Sequence, residues 1–163
     1  MCGSLKRDTL KSFPILGYPS SDCSHYFRKG FRTNSHKVGN RHTGIRLEYS
    51  GPFGYVTGPG NVTIVETKPF DLSEWGRLTF CYYNAGAESY LTVNLFSNER
   101  KITIYESPEV DPMEPHKWNC IAKAIDPGNY NTLQINAKKL RNELSYIGID
   151  EINLTDMQGS TVC

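Results

Sequence analysis

Two adjacent carboxylates, Asp150 and Glu151, stand in the middle of the alternating apolar run SYIGIDEINLTD near the end of the chain. Paired carboxylates can act as a general acid and a general base, and carboxylate oxygens are also the ligands that hard cations prefer. Consecutive strand residues point to opposite faces of a sheet, so both side chains reach one ion only if a bulge interrupts the strand. The pattern favours a structural role for Asp150, with hydrogen bonds to loop amides, over a cation site.

The histidines do not form a metal or catalytic pattern; they are His25, His36, His42 and His116. A zinc pair needs a spacing of two on a strand or three to four on a helix, and the six-residue spacing of His36 and His42 fits neither. The chain also lacks a Gly-x-Ser-x-Gly elbow, a His-Glu-x-x-His motif and a phosphate-binding glycine loop. The sequence therefore predicts no catalytic residues and no enzymatic activity.

The five cysteines are widely spread: Cys2, Cys23, Cys81, Cys120 and Cys163. None has the C-x-x-C spacing of a zinc site. Because Cys81 and Cys120 lie in strand-like segments, a disulfide between them is favoured. Cys163 is then a partner for Cys2 or Cys23, since the ends of a jelly roll tend to lie close together. The cysteine left over either links two copies of the chain or pairs with a part of a longer protein.

Two Asn-x-Thr triplets, at Asn61 and Asn153, are candidate N-glycosylation sites. With dispersed cysteines, 10 Tyr and 14 Gly, they favour an extracellular protein, either secreted or part of a cell-surface ectodomain. A formal net charge of +1 indicates neither nucleic-acid nor membrane-surface binding. No apolar run approaches the roughly 20 residues of a membrane helix.

Alternation of apolar and polar residues with a period of two dominates the chain. The strand-like runs are GIRLEYS, NVTIVE, RLTFCYYN, YLTVNLFS, RKITIYE, KWNCIAKAI, TLQIN and SYIGIDEINLT. Turn-forming segments separate them at intervals of about a dozen residues, which predicts an all-β, antiparallel, jelly-roll-like β-sandwich. The length suits one domain, with residues 1–33 as an irregular N-terminal segment that packs on a sandwich spanning residues 34–163.

Aromatic residues of these runs are candidates for a carbohydrate-binding surface: Tyr82, Tyr83, Tyr90, Tyr105 and Trp118. Rings on a sheet face stack on sugars, but core and cross-strand packing uses the same residue types. Alternation places Tyr82 with Leu78 and Phe80 and so favours the core for it, whereas Tyr83 is expected to face outward.

The order of the runs resembles that of MAM domains, a family named for meprin, a neuropilin-type antigen and a receptor protein tyrosine phosphatase. The matching motifs, over roughly Asn34 to Cys163, are GIRLEY, RLTFCYYNAG, YLTVNLF, HKWNCIAKAI and YIGIDEINLTDMQGSTVC. The cysteines depart from the family. The family's cysteine before the Leu-x-Phe strand falls on Gly76 or Arg77, and Cys120 has no counterpart, so the family disulfides are not transferred to this chain.

The resemblance implies an extracellular, noncatalytic recognition or adhesion module that binds another extracellular protein or receptor, or a second copy of itself. Some MAM domains hold a cation near the end of the last strand. The family's upstream Asp is Asn34 here, which leaves Asp150 as the candidate ligand for a calcium or sodium ion, and no other cofactor is predicted. The alternatives are a carbohydrate-binding β-sandwich module and an accessory domain of a secreted enzyme.

Overall fold

The chain folds into two antiparallel sheets that pack face to face. The structure is a computed structural model, and it describes residues 32–34, 37–46, 53–86, 88–110 and 116–162. The strands of these residues are, in chain order, β1 (Arg32–Asn34), β2 (Lys37–Val38), β3 (Ile45–Arg46), β4 (Phe53–Thr57), β5 (Gly60–Glu66), β6 (Phe70–Leu72), β7 (Gly76–Asn84), β8 (Tyr90–Ser97), β9 (Arg100–Glu106), β10 (Trp118–Ile125), β11 (Gly128–Tyr130), β12 (Thr132–Leu140) and β13 (Tyr146–Thr155). The predicted all-β antiparallel sandwich is confirmed.

One sheet has five strands in the order β1-β4-β13-β7-β10, and the other has four in the order β5-β12-β8-β9. Two short ribbons, β6 with β11 and β2 with β3, complete the pairing. The predicted N-terminal lead-in lies almost wholly outside the described residues, because only its last two positions are described, as part of β1. No helix among the described residues is long and apolar enough to cross a membrane.

The hydrophobic core lies between the two sheets, and the period-two alternation supplies it. In β7 the residues that face the second sheet are Leu78, Phe80 and Tyr82, as the sequence predicts. The four-stranded sheet contributes two rows of buried residues to the same core: Leu91, Val93 and Leu95 from β8, and Leu133, Ile135 and Ala137 from β12. Burial of each large aliphatic side chain contributes about 1.5–3 kcal/mol to folding, so alternation along these strands fixes which faces meet.

A second apolar cluster lies on the opposite, outer face of the five-stranded sheet. Its buried members are Ile45, Phe53, Tyr83 and Ala85, and Ile45 is supplied by the β2–β3 ribbon. Gly148 of β13 makes this approach possible. A Cβ atom at Gly148 would lie 2.8 Å from Ile45 Cδ1 and 3.2 Å from Trp118 Cη2, which is too close for ordinary packing. The ribbon therefore covers part of a sheet face that would otherwise be solvent-exposed.

Candidate binding face

Five aromatic side chains from four neighbouring strands meet on the outer side of the five-stranded sheet, and we call them the outer aromatic face: Phe53, Tyr55, Tyr83, Trp118 and Tyr146. Cross-strand register brings them together, because Trp118 lies opposite Tyr83 and Gly148 lies opposite both Tyr83 and Tyr55. Phe53 and Tyr83 are buried beneath the face, whereas Tyr55, Trp118 and Tyr146 are half-buried and reach solvent.

Edge-to-face contacts hold the rings of the outer aromatic face in place. The centroid of the Trp118 ring lies 5.6 Å from that of Phe53 and 5.7 Å from that of Tyr83, with interplanar angles of 72° and 61°. The Tyr55 and Tyr146 rings are 6.2 Å apart. His116 stands at the margin, with its ring 6.5 Å from that of Tyr83. Such aromatic pairs contribute about 0.5–1.5 kcal/mol beyond their burial, so the half-exposed rings are held by their buried neighbours.

Only Tyr83 and Trp118 of the aromatic residues singled out from the sequence lie on this face. Tyr82 is buried in the core, and half-buried Tyr105 packs against that core with its hydroxyl 2.9 Å from that of Tyr82. Tyr90 belongs to the other sheet, where Lys139 Nζ lies 5.7 Å from the centre of its ring. The five candidates therefore do not share one surface, because Tyr82 and Tyr83 point to opposite faces of β7 and Tyr90 and Tyr105 belong to the other sheet.

Phe53, Tyr55 and Tyr146 are not among the candidates that the sequence indicated. Alternation in FGYVT and YIGID could have placed each ring on one face of its own strand. It could not show that β4 pairs with β13, which brings Tyr55 and Tyr146 together although they are far apart in the sequence.

The Cys81–Cys120 disulfide, which the sequence favours, lies beside the outer aromatic face. The two residues are direct partners in the register of β7 and β10, with their Cα atoms 4.0 Å apart, and their sulfur atoms are bonded. Glu151 Oε2 lies 3.3 Å from Cys81 Sγ. A disulfide sulfur has no proton to donate, so this is a close contact rather than a hydrogen bond. Cys2, Cys23 and Cys163 lie outside the described residues.

A β-bulge in β13 places Asp150 and Glu151. The register with β7 shifts between Asp150 and Asn153, and Glu151 has a φ of 55°. Asp150 Oδ1 accepts a hydrogen bond of 2.9 Å from the Glu151 backbone N–H. Because of the bulge, both carboxylates lie on the outer side, Asp150 opposite Cys81 in the register and Glu151 in contact with its sulfur. The Asp150 carboxylate thus binds a backbone amide of the irregular turn that contains it.

The two candidate glycosylation sites differ in exposure. Asn61 is exposed at the start of β5, and its Oδ1 accepts a hydrogen bond of 2.9 Å from the Lys139 backbone N–H. Asn153 lies opposite Thr79 in the middle of the sheet and is half-buried. Its Oδ1 is buried and has no hydrogen-bond partner.

A second surface region lies between the start of β7 and the end of β13. A shallow cavity of about 130 Å³ is lined by three acidic residues among others: Asp71, Glu74 and Asp156. Trp75, which follows Glu74, is 52% exposed, and Met157, which lines the cavity, is 63% exposed. The Asp156 carboxylate accepts hydrogen bonds from the backbone N–H groups of Gln158 and Ser160. It therefore stabilises the turn that follows β13.

No family model matches the chain, and no curated protein matches it. Among solved structures, the K3 cleaved adhesin domain of Lys-gingipain from Porphyromonas gingivalis is similar over 82% of this chain and 94% of that chain, at 12% identity and a TM-score of 0.49. The CBM22-1 xylan-binding domain of Paenibacillus barcinonensis Xyn10C is similar over 80% of this chain and 87% of that domain, at 10% identity and a TM-score of 0.45. A family 29 carbohydrate-binding module is similar over 77% of this chain and 90% of that module, at 12% identity and a TM-score of 0.42. These similarities assign no function to the chain.

Proposed function

We propose that this chain is a noncatalytic, extracellular recognition module that binds carbohydrate through the outer aromatic face. The single observation behind this proposal is that half-exposed Tyr55, Trp118 and Tyr146 lie on the outer side of the five-stranded sheet and pack against the cluster of buried Phe53 and Tyr83. The apolar C–H faces of a sugar ring pack on aromatic rings, and rigid rings lose little conformational freedom when a ligand binds. His116 at the margin supplies a polar side chain next to the rings.

The surroundings of Asp150 and Glu151 support a binding role rather than catalysis. The carboxylates that suggested chemistry from the sequence have structural surroundings, since Asp150 binds the backbone of the bulge and Glu151 contacts a disulfide. A general acid and base need to flank a space that substrate can enter. The extracellular location is likewise supported by the Cys81–Cys120 disulfide, because disulfides persist in oxidising compartments.

The second candidate is a module that binds an extracellular protein, as the resemblance of the strand order to MAM domains implies. Exposed Trp75 and Met157 near the acidic cavity favour it, because Trp and Met are enriched in protein interfaces. The carboxylates of Asp71 and Glu74 at this cavity suit a basic partner surface. A second copy of the chain is a further partner of this class.

The two tryptophans of the chain separate the two candidates, since each lies on one of the two surfaces. We expect the folded chain to bind immobilised polysaccharide or a glycan array, and we expect Trp118→Ala to weaken that binding at least about tenfold, as loss of a hot-spot ring does. Trp75→Ala should leave it unchanged. Isothermal titration calorimetry with a glycan selected from the array gives the affinities, and circular dichroism checks that each variant folds.

Tyr55→Leu and Tyr146→Leu provide a second test if Trp118→Ala disturbs the fold, because they remove half-exposed rings and leave the buried Phe53 in place. A chain that binds no glycan, or whose glycan binding survives all three changes, rules out the carbohydrate proposal. Capture of a purified extracellular protein that is lost in Trp75→Ala and kept in Trp118→Ala supports the protein-binding candidate instead.

A further inference from the structure

Three metal-ligand atoms lie close together beside the outer aromatic face. The sulfur atoms of Cys81 and Cys120 and a carboxylate oxygen of Glu151 are all within 4.8 Å of one another. Within the described ranges, these residues form the one group of three His, Cys, Asp or Glu side chains found in such an arrangement. Cys81 is buried, and Cys120 and Glu151 are half-buried, so an ion at this point would be partly shielded from solvent.

We propose that reduction of the Cys81–Cys120 disulfide converts this place into a binding site for a thiolate-preferring divalent cation such as zinc, with the two sulfurs and Glu151 as ligands. Cation binding at this site does not require a ligand on the outer aromatic face. Thiolate sulfur selects zinc and similar ions over calcium, and a carboxylate oxygen is an accepted third zinc ligand.

The distances fit a tetrahedral site. With zinc–sulfur and zinc–oxygen bonds of about 2.3 Å and 2.0 Å, a sulfur and an oxygen ligand lie about 3.5 Å apart. Glu151 Oε2 is 3.3 Å from Cys81 Sγ in the oxidised chain, so the carboxylate is already at ligand distance. Two zinc-bound sulfurs lie about 3.8 Å apart. Cys81 and Cys120 are direct cross-strand partners on one face, and the proposed site requires their side chains to rotate to this separation after reduction.

The bulge in β13 is what directs Glu151 to the cysteines. In a regular strand, Asp150 and Glu151 would point to opposite faces and Glu151 would face the core. Instead, Glu151 adopts a φ of 55° and donates its backbone N–H to Asp150 Oδ1. Asp150 is therefore a positioning residue for the site, and Glu151 is the ligand.

The cation site forms in two steps, reduction of the disulfide and then metal binding. A dithiol reductant gives two electrons and two protons to the Cys81–Cys120 bond and becomes a disulfide itself, and the chain then carries two thiols. The cation displaces both thiol protons, and two thiolates and one carboxylate surround it, with water in the fourth position. In the oxidised chain the sulfurs carry no negative charge, so binding depends on the redox state.

The experiment uses the full chain with Cys2, Cys23 and Cys163 replaced by Ser, so that only two thiols remain. The protein is reduced with a dithiol, separated from the reductant without oxygen, and titrated with Co²⁺ as a spectroscopic probe and then with Zn²⁺. We expect one Co²⁺ per reduced chain with a thiolate-to-cobalt charge-transfer band, displacement by Zn²⁺, and protection of both thiols from alkylation. The oxidised chain should show neither band nor protection.

Glu151→Gln should weaken Zn²⁺ binding by at least about tenfold, whereas Glu143→Gln, a change at an exposed position away from the site, should not. Circular dichroism before and after reduction reports whether the sandwich persists. If reduction unfolds the sandwich, Zn²⁺ binding to the free thiols would not depend on Glu151. Equal Zn²⁺ affinities of the wild type and Glu151→Gln therefore overturn the proposal whether or not the fold persists. Absence of the charge-transfer band in the reduced chain, or equal Zn²⁺ binding by the oxidised chain, also overturns it.

Discussion

At the scale of single residues, the side-chain amides of Asn61 and Asn153 differ in their surroundings. An N-linked glycan is attached to Nδ2 of an asparagine. Asn61 is exposed, and its Oδ1 accepts a hydrogen bond from the Lys139 backbone N–H. Asn153 is half-buried, with Oδ1 enclosed in the protein. The two triplets are equivalent in the sequence, but the folded sheet gives them different surroundings.

We expect a chain secreted from a eukaryotic host to carry glycan at Asn61, and at Asn153 with lower occupancy. Glycosidase treatment should lower the mass of the wild type, Asn61→Gln should lose most of that shift, and Asn153→Gln, the matched control, should keep most of it. Intact-mass spectrometry provides the measurement. A mass shift that is untouched in Asn61→Gln would show that Asn61 is not the main acceptor.

Tyr130 is a second residue whose surroundings change its chemistry. Its hydroxyl donates a hydrogen bond of 2.7 Å to the backbone oxygen of Asp126, and its ring stacks on Phe70 at 5.2 Å. Burial, and next the negative charge of Asp126, raise the pKa of Tyr130 above 10.0. The folded chain therefore keeps this proton at a pH where the unfolded chain loses it. Its contribution to stability is present below about pH 10 and is lost as the pH rises through the raised pKa.

Tyr130→Phe tests this assignment. The change removes one hydrogen bond and should cost about 1 kcal/mol at neutral pH. Between about pH 8 and pH 11, the free energy of unfolding should fall less in Tyr130→Phe than in wild type. Asp126→Asn should reduce this difference in part, since it removes the charge but not the burial. Urea unfolding across this pH range provides the values, and parallel pH dependence in wild type and Tyr130→Phe would contradict the assignment.

At the scale of elements, the β8–β9 hairpin shows a turn whose geometry and residues do not fully agree. Asn98 and Glu99 connect the strands with φ values of 46° and 64°. Two-residue hairpin turns with positive φ at both positions favour Asn-Gly, because glycine has no Cβ to resist the left-handed conformation. Asn98 fits this preference and Glu99 does not.

Glu99→Gly should therefore stabilise the protein. Left-handed backbone costs a residue with a Cβ about 1–2 kcal/mol, and the greater freedom of glycine in the unfolded chain offsets about 0.5–1 kcal/mol of the gain. We expect a net gain of about 0.5 kcal/mol, seen as a higher midpoint of urea unfolding. Glu99→Ala keeps the Cβ and should bring no gain. A lower midpoint for Glu99→Gly than for Glu99→Ala would refute the explanation.

At the scale of the whole molecule, the Cys81–Cys120 disulfide ties the edge strand β10 to its neighbour β7 in the five-stranded sheet. The two cysteines are 39 residues apart, so their bond restricts a long loop of the unfolded chain. In the chain-entropy account such a loop stabilises the fold by about 4 kcal/mol. The predicted bridge of Cys163 with Cys2 or Cys23, and the dimer that a leftover cysteine would allow, stay predictions.

The double change Cys81→Ser and Cys120→Ser should lower the free energy of unfolding by up to about 4 kcal/mol while the sandwich persists. Urea unfolding gives the loss, and non-reducing peptide mapping of the wild type should recover Cys81 linked to Cys120. The matched control is Cys163→Ser, which leaves this bond intact. An unchanged midpoint in the double variant, or Cys81 recovered with another partner, would disprove the bridge's role.

The alternation of apolar residues alone determined that this chain forms strands and which face of β7 enters the core. Leu78, Phe80 and Tyr82 are buried as the period of two requires, because side-chain direction along one strand is a local property. The outer aromatic face depends instead on the pairing of β4 with β13, which are far apart in the sequence. The position of Glu151 depends on a bulge that alternation cannot indicate. Pairing, register and bulges follow from how all strands pack at once, so only the tertiary structure decided them.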